Sequence, residues 1–537
     1  MPVPFFSSYV AGEARARSFF AARFQNPSQR VEQVRVAARR RAPDALIEVL
    51  RQQDEMLPPS ARRQKNLEAL SRPGTVAVLT GQQAGLFLGP LYSFYKAASA
   101  IAVARALEVE SGVPCVPVFW LQTEDHDFAE INHCHVGGGG AEPLRLSVEG
   151  DDGEETARVS VKHRLLGPEV LDQLARLEEH LGSLPFAGEF LDLLRRHYRP
   201  GQSVTAAFAG VMATLFAEEG LVLLDPRDSA IANLSAPIYR RCVDSAAEIS
   251  ASMLERSRAL SEAGFAVQVH LRADSPLLFF HAHGPRGPRF RLEHRGGSWA
   301  LVGSEETAST EALHRALELE PLRFSSSALL RPIVQDALLP TAAYVGGPSE
   351  VNYFAQLPPL YAFFGLPLPL VVPRARFRCL DERTQTWLEK LGLTPADLER
   401  PREQVLRDVS RSGQDYPTAQ SVGDQLMSDI FGRLDNLETV AGSLDPNLIK
   451  AVKRTRATIS RAVSRFSTRY GRSLLERDRI ASDRVHRLQW SLFPEGIPQE
   501  RFYSLAYFAC RYGAGRFKEQ VFAHLDPFAA AVRDFRP

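Results

Sequence analysis

Glu124, Asp125, His126 and Asp127 put three carboxylates and an imidazole into four consecutive residues. Such a group can bind an amine, ligate a divalent metal or take a proton as general base. Like charges this close raise one another's pKa, so not all of them need be ionised. Asp127 and Glu130 also have capping-box spacing, with Asp at the cap, so Asp127 can equally start a helix. A second group is the glycine-rich run Gly81, Gln82, Gln83, Gly85 and Gly89, followed by Tyr92, Ser93 and Lys96. Its glycines let backbone pass close to a ligand, and a helix N-terminus beyond them suits a phosphate or carboxylate. Tyr92 and Ser93 precede Lys96 by four and three residues, so the three share one side of that helix. The run is neither the P-loop nor the GxGxxG pattern, and the same glycines suit a tight strand-to-helix turn with Lys96 reaching solvent. A third group joins Arg331 and Gln335 to Gly346, Gly347, Ser349, Glu350 and Asn352. Its Gly-Gly-Pro turn leads either to another polar strand end or to a helix capped by Ser349. No HExxH, HxGH or GxSxG pattern occurs, and His133 and His135 read as a solvated pair.

The elements around these groups follow from apolar patterning. Thr75–Thr80, Cys115–Leu121, Leu221–Asp225 and Leu338–Gly347 are apolar runs that suit strands covered on both faces. Pro90 opens a predicted helix through about Val109, which makes a βαβ unit with the first two strands and implies a parallel sheet. The first 72 residues read as two or three helices, broken at Pro58 and Pro59. Two segments of different texture interrupt the core, at about 135–200, which begins with four glycines, and at about 250–325. In the second, Ala266–Leu271 and Leu277–His281 alternate as antiparallel strands do. The core spans 1–374, a charged helical domain 375–490, and residues 491–537 return to the core. Ile459, Val463, Phe466 and Tyr470, with Ile430, Leu434, Leu437 and Leu444, give apolar stripes for a helical hairpin. Asp445-Pro446 marks its turn. The hairpin can serve dimerisation or pack on its own core.

Composition narrows the partners. The 537 residues allow three or four domain-sized pieces, and 45% apolar with 24% charged residues is globular. Net charge is +1, which gives no basic excess for a general nucleic-acid or membrane binder. Of the 64 basic residues seven are lysines, so a lysine such as Lys96 is more telling than any arginine. Five scattered cysteines without a CxxC fit a reducing cytoplasm. The N-terminus has no signal-peptide pattern, and the longest uncharged stretch, 357–373, holds too much proline to span a membrane.

Thr80-Gly-Gln-Gln-Ala-Gly85, Gly89-Pro-Leu-Tyr92, Phe119-Trp-Leu-Gln-Thr-Glu-Asp-His-Asp-Phe128, Leu330-Arg-Pro332, Tyr344-Val-Gly-Gly-Pro-Ser-Glu350 and Leu492-Phe-Pro-Glu-Gly496 together resemble the bacillithiol biosynthesis cysteine-adding enzymes, the BshC family. The likeness runs in order from about Pro59 to the end. It implies an α/β, Rossmann-like parallel-sheet core related to class I nucleotidyltransferases, with two insertions and a C-terminal α-helical coiled-coil domain that makes a homodimer. It also implies a cysteine ligase that adds L-cysteine to glucosaminyl-malate as an amide, the last step of bacillithiol synthesis. The HxGH and KMSKS-like signatures of class I nucleotidyltransferases are missing, Gly85–Gly89 carrying no histidine.

Amide formation in water needs an activated acyl group, which implies ATP, with Mg2+. On this reading Gly81, Gln82, Gln83, Gly85, Gly89, Tyr92 and Ser93 hold the nucleotide, while Ser93 and Lys96 neutralise developing charge. Glu124 to Asp127 hold the cysteine ammonium or deprotonate the attacking amine. Arg331 binds malate carboxylates bidentately, among Gln335, Gly346, Gly347, Ser349, Glu350 and Asn352. No metal ligand is assigned. Two rival readings remain: a metal-dependent hydrolase built on Glu124–Asp127, and a nucleotide-binding dimeric scaffold without catalysis.

Overall fold

Val116, Val118 and Trp120 sink into one hydrophobic core, while Phe119 and Leu121 sink into another. Val222 and Leu224 follow the first set, and Leu223 the second. Strands buried on both faces belong to a parallel sheet sandwiched by helices. The computed structural model, which describes residues 3–138, 142–149, 157–412 and 417–537, contains that sheet. Its strands stand in the order Leu370–Pro373, Thr341–Gly346, Val76–Gln82, Cys115–Leu121 and Val222–Leu224, each parallel to its neighbours. The chain enters in the middle strand, grows one way to Val222–Leu224, then returns to the other side of Val76–Gln82. The order therefore reverses between Val76–Gln82 and Thr341–Gly346, and sheets of this Rossmann-like kind take ligands outside the carboxyl ends of their strands at such a reversal.

Several local expectations shift. The strand Leu370–Pro373 lies inside the proline-rich stretch and was not expected; it sits at the sheet edge, where proline is tolerated. The fourth apolar run begins its strand only at Thr341, because Leu338 closes the helix Arg331–Leu338. The helix expected from Pro90 runs Tyr92–Ser111, since Pro90 bridges Ser504 instead. Residues 3–72 form five helical segments, Phe5–Val10, Ala14–Arg17, Pro27–Ala37, Asp44–Glu55 and Ala61–Leu70.

The first insertion holds a hairpin, His133–Val136 with Leu144–Ser147, and the helices Glu169–Leu181 and Ala187–His197. Gly139 and Gly140 of its glycine run lie outside the described residues. The second insertion is an antiparallel sheet in the order Phe324–Ser326, Leu278–His281, Arg289–Arg295, Ser298–Val302, Thr307–Ala308. Ala266–Leu271 is not a strand despite its alternation; the Val269 amide donates to Gln356 Oε1 at 3.1 Å rather than to a ladder.

The chain forms two compact units. One comprises Met1–Gly138, Pro143–Cys379 and Gln499–Pro537; the other is built on Leu380–Pro498. In the second, helices Ala419–Leu444 and Pro446–Leu492 form an antiparallel hairpin. Asp445 caps the second helix by accepting from the Asn447 amide, and Arg456 pairs with Asp435 across the hairpin. Among the described residues no helix is long and apolar enough to cross a membrane.

Re-entry into the first unit is fixed by buried polar contacts. Gln499 accepts from the Cys379 amide at 2.8 Å and donates to its carbonyl at 3.1 Å. Glu500 takes a bidentate pair from Arg374, at 2.9 and 2.8 Å, and the Phe377 amide at 3.3 Å. Burial alone would raise the Glu500 pKa, but Arg374 brings it below the ordinary range. Removing one partner of a buried pair strands the other charge. Glu500→Ala is expected to lower stability by about 3–5 kcal/mol, read from urea unfolding.

Candidate active site

The carboxyl end of the first strand supplies Gln82 and Gln83, the second Gln122 and Glu124, the fourth Gly347 and the fifth Arg374. These ends frame a cleft of about 430 Å³, a size that seats a small metabolite. The antiparallel insertion closes one side with Phe279, Arg289 and Ser326.

Lys96 forms the floor. The residue is 3% exposed, and its ammonium donates to the Gly81 carbonyl at 2.7 Å and to Gln82 Oε1 at 2.8 Å. It pairs with Glu350 at 2.6 Å. Glu350 also accepts from Tyr344 Oη at 2.5 Å and the Gly347 amide at 2.7 Å. Burial would raise the Glu350 pKa, but Lys96 and these donors hold it low; burial draws Lys96 down against the pull of Glu350. Three acceptors hold the ammonium in one position. The helix after the Gly-Gly-Pro turn has Gly347 as N-cap, not Ser349, because Glu350 reaches back to the Gly347 amide.

Arg331 is as firmly held. Nη1 donates to Gln335 at 2.9 Å, and Nη2 to Tyr344 at 3.0 Å and Tyr353 at 2.8 Å. Gln335 is fully buried behind it and passes a bond on to Asp336.

The opposite wall is the acid–imidazole segment. Glu124, Asp125 and His126 face the cleft. Glu124 accepts from Ser326 Oγ at 2.6 Å. Asp125 accepts from Gln83 at 2.7 Å and from the His126 amide at 2.7 Å. Arg289, 5% exposed and stacked 3.7 Å from the Phe279 ring centroid, brings Nη1 to 3.4 Å from Asp125 and 3.1 Å from His126 Nδ1. Burial would raise the Asp125 pKa, but Arg289 and the donors carry it below the ordinary carboxylate range. Burial, then Arg289, lowers that of His126. Because a guanidinium only donates, Nδ1 must accept, so the neutral ring carries its proton on Nε2. His126 is thereby set up as a hydrogen-bond donor rather than a base.

Other expected residues fall elsewhere. Asp127 is off the cleft and accepts from the Glu130 amide at 3.3 Å; no helix starts there, because the Glu130 carboxylate is drawn to Gln83 at 2.6 Å. Gly85 and Gly89 pack on each other, a Cβ on Gly85 falling 2.7 Å from Gly89 Cα, and the intervening Leu86–Leu88 turn is buried. The amides of Gly85, Leu88 and Gly89 bond Gln83, Tyr198 and Leu86, so these three amides are used within a tight turn. Ser93 is buried away from the cleft, and its amide bonds Pro90. Gly81 contributes its carbonyl to Lys96, and Tyr92 lines the cleft, its hydroxyl accepting from Gln82 at 3.2 Å. Gly346 backs the Glu350 side chain, whose Cβ a Gly346 Cβ would meet at 3.1 Å, while Gly347 and Ser349 line the cleft. Asn352 holds the N-terminal segment through the Phe6 amide at 2.7 Å. Arg289, Ser326, Arg374 and Arg501 line the cleft without having been singled out; the Ser325–Ser327 triplet was the one local signal.

A Rossmann-like sheet with a polar cleft at its order reversal, closed by an antiparallel insertion and interrupted by a helical excursion, defines the class. The chain matches "Bacillithiol biosynthesis BshC, N-terminal Rossmann-like domain" over residues 2–375 and "Bacillithiol biosynthesis BshC, C-terminal coiled-coil domain" over 377–532. It is 32% identical over 509 residues to a protein of Koribacter versatilis, covering 95% of this chain and 93% of that one. It is 33% identical over 497 residues to one of Solibacter usitatus, covering 91% and 90%. Both relatives bear the name "Putative cysteine ligase BshC". The chain belongs to the BshC family.

The His126 assignment is testable by NMR. At pH 7 the ring should be neutral with its proton on Nε2. Arg289→Met should raise its pKa, since the Asp125 charge stays while the guanidinium goes. The folded pKa lies below the ordinary 6.5, so as pH falls below that value the unfolded chain binds the proton first and stability declines.

Proposed function

We propose that this chain is an amide-forming ligase that joins L-cysteine to glucosaminyl-malate in bacillithiol synthesis, with ATP activating the carboxylate. The observation that carries this reading is the two-sided cleft, acid and imidazole on one wall and guanidinium groups on the other, in a member of the BshC family. A carboxylate held ionised, as Asp125 is, suits the cysteine ammonium better than proton abstraction. Glu124 is then the carboxylate left to take the proton of the attacking amine. The Nε2–H of His126 would meet the oxygen on which charge develops as the new C–N bond forms and the bond to the leaving phosphate breaks.

The nucleotide's phosphates would lie toward Ser349 and the cationic wall, since the amides of Gly85, Leu86, Leu88 and Gly89 are engaged. Among the described residues no cluster of three or more His, Cys, Asp or Glu could hold a metal, so Mg2+ would come on those phosphates. Leu437, Val440 and Leu444, exposed near the hairpin turn, support pairing of two copies through the helical unit. Five free, buried cysteines support a reducing, cytoplasmic setting.

Purified chain given L-cysteine, glucosaminyl-malate and ATP–Mg2+ should yield the cysteinyl amide by mass spectrometry, with cysteine-dependent nucleotide cleavage. No product, or turnover without nucleotide, overturns the assignment. Asp125→Asn should raise the apparent KM for L-cysteine by about tenfold or more, because the amide keeps hydrogen-bonding atoms but not the charge that pairs the ammonium.

A further inference from the structure

Most cations of the cleft already have partners. Lys96 faces Glu350, Arg289 faces Asp125, and Arg374 is matched by Glu500. Arg331 gives its Nη atoms to Gln335, Tyr344 and Tyr353. Arg501 differs. It lines the cleft and is exposed, and among the described residues it has neither a counter-ion nor a hydrogen-bond acceptor. The contact it makes is with the Tyr92 ring, whose centroid lies 5.9 Å from its Cζ; Arg374 approaches the same ring at 5.5 Å.

The backbone on both sides of Arg501 is nonetheless fixed. Gln499 and Glu500 are tied to Cys379, Phe377 and Arg374, and Phe502 is buried with its ring 4.2 Å from that of His135. A rigid segment thus presents one unneutralised guanidinium to a ligand cleft. The planar fork of arginine matches an oxyanion, and binding it with two parallel bonds gives both strength and orientation.

We propose that Arg501 is the oxyanion receptor of this cleft, taking a substrate carboxylate or a nucleotide phosphate bidentately. The assignment deepens the ligase reading and rests on it for the identity of the anion. It also moves the carboxylate-binding role from Arg331, whose terminal nitrogens are engaged, to a residue that enters after the helical excursion.

Calorimetric titration of the full chain with malate and, separately, with pyrophosphate at low ionic strength tests it without turnover. Arg501→Gln should weaken one anion by about tenfold or more, and Arg501→Lys should retain an intermediate affinity because its ammonium keeps the charge but loses the fork. Loss confined to malate identifies the carboxylate, and loss confined to pyrophosphate the nucleotide. Wild-type affinity of Arg501→Gln for both anions, or no binding of either anion by the wild type, overturns the assignment. If amide formation fails while anion binding still depends on Arg501, the ligase reading falls and the receptor assignment stands.

Discussion

One buried ammonium ties the order reversal of the sheet together. Lys96 projects from the helix that follows the first strand and is met by Gly81 and Gln82 from that strand's end and by Glu350 from the turn after the fourth strand. These strands are neighbours, and the reversal lies between them. Two charges removed from water are costly unless hydrogen bonds satisfy what remains. Here Tyr344 and the Gly347 amide complete Glu350, and Arg331 completes Tyr344. The cleft floor is consequently a closed polar network, stiff because every member has a geometric demand on the next.

The same logic governs the opposite wall. Arg289 reaches in from the antiparallel insertion and touches Asp125 and His126, while Ser326 of the same sheet donates to Glu124. The segment after the second strand supplies the acid and imidazole groups, and the insertion supplies the guanidinium that biases their protonation. A guanidinium beside an imidazole disfavours the imidazolium, and beside a carboxylate it favours the anion. Both effects act within a cleft whose electrostatic groups are set before any substrate arrives, the condition for charge stabilisation without reorganisation.

The sheet was largely readable because burial on both faces leaves continuous apolar runs, and the strand Leu370–Pro373 escaped because it lies in a proline-rich stretch and ends in a proline, which a sheet tolerates at its edge. The acid–imidazole segment was visible as a local cluster. Long-range partners were not: Arg289 meets Asp125 across 164 positions, and an arginine among many carries no mark of its destination. The glycine-rich run is ambiguous for a physical reason. A glycine that allows close approach of a ligand and one that allows close approach of another backbone segment look alike in sequence, and Gly85 with Gly89 is the second kind. Lys96 lines the cleft, but pattern alone cannot count the acceptors around an ammonium.

The helical excursion bears on the cleft through its ends. The chain leaves the first unit at Cys379 and re-enters at Gln499, and those two residues bond each other directly. Closing so long a loop costs entropy that grows only slowly with its length, so a large inserted unit is tolerated if its stems are strongly held. Glu500 supplies that hold by accepting both arms of Arg374, which itself follows the edge strand of the sheet. Arg374 and Arg501 then flank the same Tyr92 ring, the first neutralised by Glu500 and the second without a counter-ion among the described residues. The buried pair fixes the segment, and the Arg501 guanidinium is what that fixing delivers to the cleft.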